Sequence, residues 1–546
     1  MGARLDALRE RFRDPNPILV RELRSSFRTP RFVRTMTTAL MVLLLVVLGG
    51  GLAGSAGSVA PAEKGRSIFQ VFFTVAYVLL AAVAPTFGAS AFTTEKEQET
   101  YESVLLSGLS PERFVLGKLL ASYVEIGLLL VASVPILGVS ILFGGVSPLE
   151  VLLGFAVLLV AIAPGISLGV ALSSRLRSTR TAATLALVIA APTAYAGLGV
   201  MAGIESGRSG KFPGTGDGPF AFVSDLAANA TDLESWLVLF VAPVVAAGLA
   251  TWLFVASAIA GVRPEAEDRV SPFKAWSIAT ALALLVGYTA LLARVPGTGL
   301  DEASLGLQVA LVPVALFFAM LFANEPPLPP RSHRSPSTFR ERVLAHLGPG
   351  SLGTARFASL LLTELLLAPV ALFVVVAVLV RGEPKALGDG RALVIALVVA
   401  IGSLVASLVV LELGVFVRTL IGGGVASRAA QLGFGVAASL LPLMIVPILD
   451  LDAFDHVPER VPWPLRVSLL APGFVAAHLE RGSPPADVLL LAPFLVLHGS
   501  LGLALRFATG RRVAAARARL DAVRARLEAE VARRRAGEAA AEARPV

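Results

Sequence analysis

Twelve stretches of about 20 mostly apolar residues run through this chain, at approximately 36–54, 68–92, 119–143, 149–172, 182–203, 235–260, 275–293, 304–323, 357–380, 391–416, 429–449 and 486–505. A segment of that length crosses a bilayer as a helix, because in lipid each backbone N–H and C=O must find its partner within the segment. The expected fold is therefore an all-α polytopic membrane protein with about 12 transmembrane helices. Composition agrees: 55% of the 546 residues are hydrophobic and only 16% are charged, against roughly 25% charged in a soluble domain. The chain has no cysteine, which excludes disulfide frameworks and thiolate metal sites. Its five histidines (333, 346, 456, 478, 498) include no pair at i, i+4, which argues against a histidine-built metal centre. No cleavable signal peptide is expected, since the first apolar run follows 35 residues and is succeeded by further spans.

The net charge of +8 raises the question of a nucleic-acid partner, and the placement of charge answers it. With twelve spans both termini share one side. If that side is cytoplasmic, the inside segments hold 36 of the 47 Lys and Arg, as the positive-inside rule requires. The charge then reports topology, and no nucleic acid is expected. Arginine outnumbers lysine 41 to 6, which looks like a GC-rich bacterial genome, so the expected location is the bacterial inner membrane, multi-pass.

Residues 1–35 form the first cytoplasmic piece. Asn16-Pro17 reads as a helix start, with Asn at the cap and Pro in the first turn. Leu19, Leu23 and Phe27 then recur on one face among Arg21, Arg24 and Arg28, a short basic amphipathic helix suited to the membrane interface and its lipid. At the other end, 506–546 is a basic helical tail. Val513, Leu520 and Leu527 stand seven apart, little more than two heptads, so a solvated helix or a contact with anionic lipid is expected there.

The third and ninth spans resemble each other. Both have a cation at the cytoplasmic end (Lys118, Arg356) and one Glu about two turns in (Glu125, Glu364). Leu168-Gly169-Val170 likewise parallels Leu413-Gly414-Val415. The expected organisation is two six-helix parallel repeats, a first transmembrane domain at 36–262 and a divergent second at 263–505, making a pseudo-dimer within one chain.

Between spans two and three, residues 93–118 are the most informative segment. They read as a highly charged helix start, an apolar turn, a Gly break, and a new helix with Ser110 as cap, Pro111 at its first position and Glu112 in the first turn. Two short cytoplasmic helices between spans would make a rigid, charged protrusion. This segment resembles the cytoplasmic loop of ABC-2-type ABC-transporter permeases. Glu95-Lys96-Glu97, Thr100, Glu102, Leu105-Leu106, Ser110 and Gly117-Lys118 match that family's pattern, and Asn16 to Arg24 resembles the opening of its permeases. Glu99 stands where the family carries Gly, and Gly108-Leu109 replaces a small-Pro pair. The resemblance covers 15–260, and the second half only by architecture. It implies that Glu95, Lys96, Glu97, Thr100, Glu102, Leu105, Leu106, Ser110 and Pro111 form an ATPase-coupling loop that passes motion to a separate nucleotide-binding subunit. ATP-Mg would be bound by that partner, with no cofactor and no catalytic residue in this chain. The second half's corresponding loop, from Asn324 to Arg334, is Pro-rich and lacks the Glu cluster. It either docks an ATPase differently or is degenerate.

The chain has no phosphate-cradling motif of its own. Gly207-Arg208-Ser209-Gly210-Lys211-Phe212 lacks both the upstream Gly and the hydroxyl after Lys. Of the intramembrane acids, Glu125 and Glu364 read either as groups on a translocation path or as packing hydrogen-bonders. Glu412, close to Arg418 in sequence, reads as a structural snorkelling residue. Asp450, Asp452, Asp455 and Glu459 read as a solvated loop. The leading expectation is a permease subunit, an exporter driven by a separate ATPase. An ion-coupled secondary transporter and a non-transporting membrane scaffold are the alternatives.

Overall fold

A computed structural model describes residues 16–53, 60–106, 108–209, 219–264, 267–295, 299–326, 350–380, 382, 390–422, 424–449, 461–481 and 484–542. Among these residues there are helices and turns but no strand. Twelve helices are long and apolar enough to cross a membrane, the number read from the apolar runs. The chain divides into two compact units, Met1–Pro264 and Glu265–Val546, with six of the twelve in each. Asp450, Asp452, Asp455 and Glu459, and most of the Pro-rich loop, lie outside the described residues, as does part of the 207–212 segment.

The first unit starts with α1 (Pro17–Phe27) and α2 (Pro30–Ala53), separated by Arg28 and Thr29. Proline at each start supplies the helical φ and lacks only an N–H that would go unbonded there. Next come α3 (Pro61–Glu97), the short α4 (Tyr101–Leu105), α5 (Pro111–Phe143), α6 (Pro148–Arg175) and α7 (Thr179–Ser209). The unit closes with α8 (Ala221–Ala228) and α9 (Leu233–Val262), which takes one π turn at Leu237–Val241. At 1.5 Å per residue, the 37 residues of α3 reach about 55 Å, well beyond a hydrocarbon core of about 30 Å. Its charged end therefore continues the helix out of the lipid.

Two glycines bring α3 and α6 together near Pro85. A Cβ on Gly169 would stand 2.1 Å from the Pro85 carbonyl oxygen, and one on Gly88 would stand 2.1 Å from that of Ile166. Small residues let spanning helices approach closely where lipid supplies no hydrophobic driving force. Further along the same pair of helices, Phe69, Phe72, Phe73 and Phe220 are fully buried, with Phe73 against Gly154 and in edge contact with Phe72 and Phe155.

The second unit holds α10 (Ser271–Leu292), α11 (Leu300–Phe322), α12 (Ser351–Val380), α13 (Arg391–Ile421) and α14 (Gly424–Leu449). The short α15 (Trp463–Arg466) and α16 (Ala471–Glu480) lead to α17 (Ala492–Glu542). Gly414 on α13 packs against Gln431, whose amide donates to the Val410 carbonyl at 2.9 Å. Two features differ from the sequence reading. The last span and the tail are one unbroken 51-residue helix, because Gly510 alone costs too little to end it. Buried Glu412 faces Arg506 of α17 at 3.8 Å, while Arg418 donates to the Gly422 carbonyl. Helical rotation carries Arg418 off the Glu412 face, and the partner comes from a distant helix.

Candidate coupling site

The loop after α3 is held by its own charged triplet, one residue to each neighbour. Glu95 turns inward. Its Oε1 accepts from Lys118 Nζ at 3.1 Å and from the Arg21 guanidinium. Lys118 is 2% exposed and also reaches Glu22 of α1 at 3.2 Å. Its ammonium lies 5.5 Å from the rings of both Phe92 and Phe114, which meet edge to face at 5.0 Å. A buried ammonium is tolerated where carboxylates and aromatic faces replace its water.

Lys96 points the other way. Its Nζ donates to the carbonyls of Ser173, Ser174 and Leu176 at 2.9, 2.7 and 3.0 Å. A cation there satisfies the bare carbonyls and the negative dipole end of α6. Glu97 accepts from the Thr179 N–H at 2.7 Å and so caps the start of α7. The α6–α7 turn is thus clamped between a lysine and a glutamate adjacent in sequence.

The helix ends at a residue with positive φ. Glu99 has φ 59°, while the Thr100 N–H reaches the Glu95 carbonyl at 2.9 Å and the Glu99 N–H that of Lys96 at 3.3 Å. This is the Schellman closure, whose left-handed position favours glycine. A glycine at this position would adopt that φ without steric cost. A side chain there costs roughly 1–2 kcal/mol, part of which glycine returns through unfolded-state entropy. Glu99→Gly is accordingly expected to stabilise the protein by roughly 0.5–1 kcal/mol, read as a raised thermal midpoint in detergent. Glu99→Val should lower it.

Glu102 is solvent-facing and Leu106 is 86% exposed. Leu105 ends α4. Burial, followed by the charge of Glu95, pushes the Tyr101 hydroxyl up, so it stays neutral. Ser110 caps Arg113 N–H at 3.3 Å with Pro111 beginning α5, and Glu112 pairs with Arg263 after α9 at 2.5 Å.

Helix α1 completes the arrangement. The Asn16 side-chain Oδ1 accepts from Ile18 N–H at 3.0 Å, and its Nδ2 donates to the Arg113 carbonyl at 2.6 Å. A Cβ on Gly117 would stand 2.8 Å from Ile18 Cβ, so glycine is needed where α1 crosses α5. Burial alone would push the Glu22 carboxyl up, but Lys118 and Arg21 overcome it and hold the group below its usual value of 4.5. With the folded pKa lowered, the stability Glu22 contributes is present above pH 4.5 and lost as pH falls through the lowered value. Hydrogen exchange of 17–27, corrected for its intrinsic pH dependence, is expected to stay flat from neutrality to about pH 4.5 and to rise below it.

A cavity of about 800 Å³ opens between α1, α3 and α5, lined by Arg21, Glu22, Ser90, Thr94, Glu95 and Glu125 among others. Ser26 and Glu125 both line it. Glu364, its counterpart in the sequence comparison, lies exposed on α12. The two spans look alike as sequences, but the helix faces carrying these acids meet different surroundings.

Sequence reasoning did not single out Arg21, Glu22 and Lys118 as members of one ionic cluster, nor Glu325. In the second unit Glu325 is buried, and its carboxylate accepts from Gly350 N–H at 2.8 Å and from the Thr354 hydroxyl. Burial pushes this carboxyl up against the pull of Lys274. The Lys274 ammonium lies 5.6 Å from the Phe357 ring, which meets Phe322 at 5.3 Å. The signal was a Phe-x-x-Glu at the end of the second and eighth spans, 92–95 and 322–325.

The first unit is thus a helical domain with six candidate spans whose α3–α5 loop is clamped to α1, α5, α6 and α7. Residues 34–212 match the family model described as ABC-2 family transporter protein. No curated protein and no solved structure matches the chain.

Proposed function

We propose that this chain is the membrane subunit of an ATP-driven exporter of the bacterial inner membrane, with both termini cytoplasmic, coupled at 93–118 to a separate ATPase subunit that binds ATP-Mg. The observation that carries this reading is the division of labour in the loop. Glu95, Lys96 and Glu97 grip α1, α5, α6 and α7, while Glu102 and Leu106 face outward. A push on the exposed part would reach α5, α6 and α7 through bonds of 2.7–3.1 Å and α1 through Arg21. The two units would act as related halves of one pseudo-dimer. Glu125, at the wall of a polar cavity, would line a path on the cytoplasmic side of the first unit, and Glu364 is the corresponding candidate in the second. An ion-coupled mechanism through this pair has less support, since the two acids do not share an environment.

The test is co-expression with a candidate ATPase encoded next to this chain, purification, and ATP hydrolysis in liposomes. A stoichiometric complex whose hydrolysis rises several-fold on assembly is the expected result. A chain that purifies from its own membranes without any ATPase, and that stimulates none, overturns the reading.

A further inference from the structure

Helix α17 leaves the second unit as a rod. Its root is fixed: Thr509 and Val513 are buried, Arg506 faces Glu412, and the Arg512 guanidinium lies 6.0 Å from the Phe416 ring. From Ala514 to Arg534 no residue is buried, yet the helix continues. At 1.5 Å per residue, 514–542 project about 43 Å.

The rod carries an uncovered apolar seam. Leu520, Val523, Leu527 and Val531 recur at spacings of three and four, and each is 48–57% exposed. Arginine borders the seam on both sides. Arg512, Arg519, Arg526 and Arg533 run along one edge at intervals of seven, and Arg517 and Arg524 along the other. Alanine fills most of the back face.

These edges decide what can cover the seam. In a parallel pair of two copies, Arg519 of one would face Arg524 of the other. In an antiparallel pair, each Arg edge would meet itself. Like charges flanking the seam disfavour both pairings. The chain's other heptad-like apolar set, Leu5, Leu8 and Phe12, is also bordered by arginine (Arg4, Arg9, Arg11) and is rejected on the same ground. An anionic bilayer would attract the arginines, but a helix continuous with its span and anchored at Val513 stands off the membrane surface. We infer that residues 516–531 are a docking seam for an amphipathic helix of a partner protein whose own flanking positions are acidic. Leucine and valine would interdigitate, and Glu or Asp would meet both Arg edges. This inference does not rest on the ATPase reading.

The test uses the full chain in nanodiscs of neutral lipid. Two labelled 28-residue peptides share a Leu/Val seam and differ only in carrying Glu or Lys at the flanking positions. Fluorescence anisotropy is expected to show the Glu peptide binding at least about tenfold more tightly. Arg519→Glu with Arg526→Glu, which keeps a good helix former at each site, should reverse the preference. Leu520→Ala with Leu527→Ala should weaken binding of the Glu peptide at least about tenfold. Equal binding of both peptides, or binding of neither, overturns the inference. The chain has no cysteine, so Leu520→Cys gives a single reporter. Disulfide-linked dimers at that position would show self-pairing instead, and burial of a label there in phosphatidylglycerol nanodiscs would show a membrane contact. Either outcome overturns the proposal.

Discussion

Replacing Lys118 by methionine is expected to cost about 3–5 kcal/mol, more than any other single substitution at the coupling site. The ammonium is 2% exposed and lies between Glu95 at 3.1 Å and Glu22 at 3.2 Å. Methionine keeps the volume and the contact with Phe92 and Phe114 but leaves two carboxylates close together with only Arg21 to pair them. The penalty comes from that uncompensated charge rather than from the lost attraction. A double replacement, Lys118→Met with Glu95→Gln, should recover part of the loss, because it removes one of the stranded charges. Glu95→Gln alone should cost less than Lys118→Met, since Glu22 still neutralises the lysine. The measurement is the denaturation midpoint of the purified protein in detergent for the four members of this cycle. An unchanged midpoint in Lys118→Met would show that the ionic cluster does not hold α1, α3 and α5 together.

The second large effect concerns coupling without loss of fold. Leu106→Asp combined with Glu102→Ala should reduce ATPase stimulation by at least about tenfold, the 1.4 kcal/mol expected when an anchor side chain leaves a docking surface. The denaturation midpoint should stay within about 0.5 kcal/mol of the parent, because both side chains are solvent-facing and surface changes are that small. Substituting the triplet itself cannot make this distinction. Glu97→Ala uncaps α7, and Lys96→Ala bares three carbonyls at the end of α6, so a drop in activity would mix coupling with stability. If the outward pair is replaced and stimulation is unaffected, the partner contact lies elsewhere on the chain.

The apolar runs were legible because the requirement they meet is local. A span must satisfy its backbone internally and expose its side chains to lipid, so length and hydropathy suffice to find all twelve. The helix starts were legible for a similar reason. Asn16-Pro17 and Ser110-Pro111 act on N–H groups two or three residues away. The ends were less so. Residues 93–97 are too polar to read as part of a span, yet nothing breaks the helix before Glu99, and α3 runs on. The same holds for α17, where a charged tail and an apolar span are one rod.

The candidate site was legible as a motif and not as a mechanism. Glu95, Lys96 and Glu97 stand out as a charge run against a basic cytoplasmic side, but a run of charges does not say where each side chain points. Helical rotation of 100° per residue sends the three to three different neighbours. Those neighbours lie 77 or more residues away for Lys96 and 82 for Glu97. The same separation hid Arg21, Glu22 and Lys118, and it is why the matched pair Glu125 and Glu364 turned out to have different surroundings. By itself, then, the sequence determined a twelve-span membrane protein and the helix starts at Asn16-Pro17 and Ser110-Pro111, because these follow from interactions within a few residues. Only the tertiary structure decided which charges are spent inside the protein and which are free to meet a partner. That depends on which distant carbonyls, amides and carboxylates the packed helices bring within 3 Å.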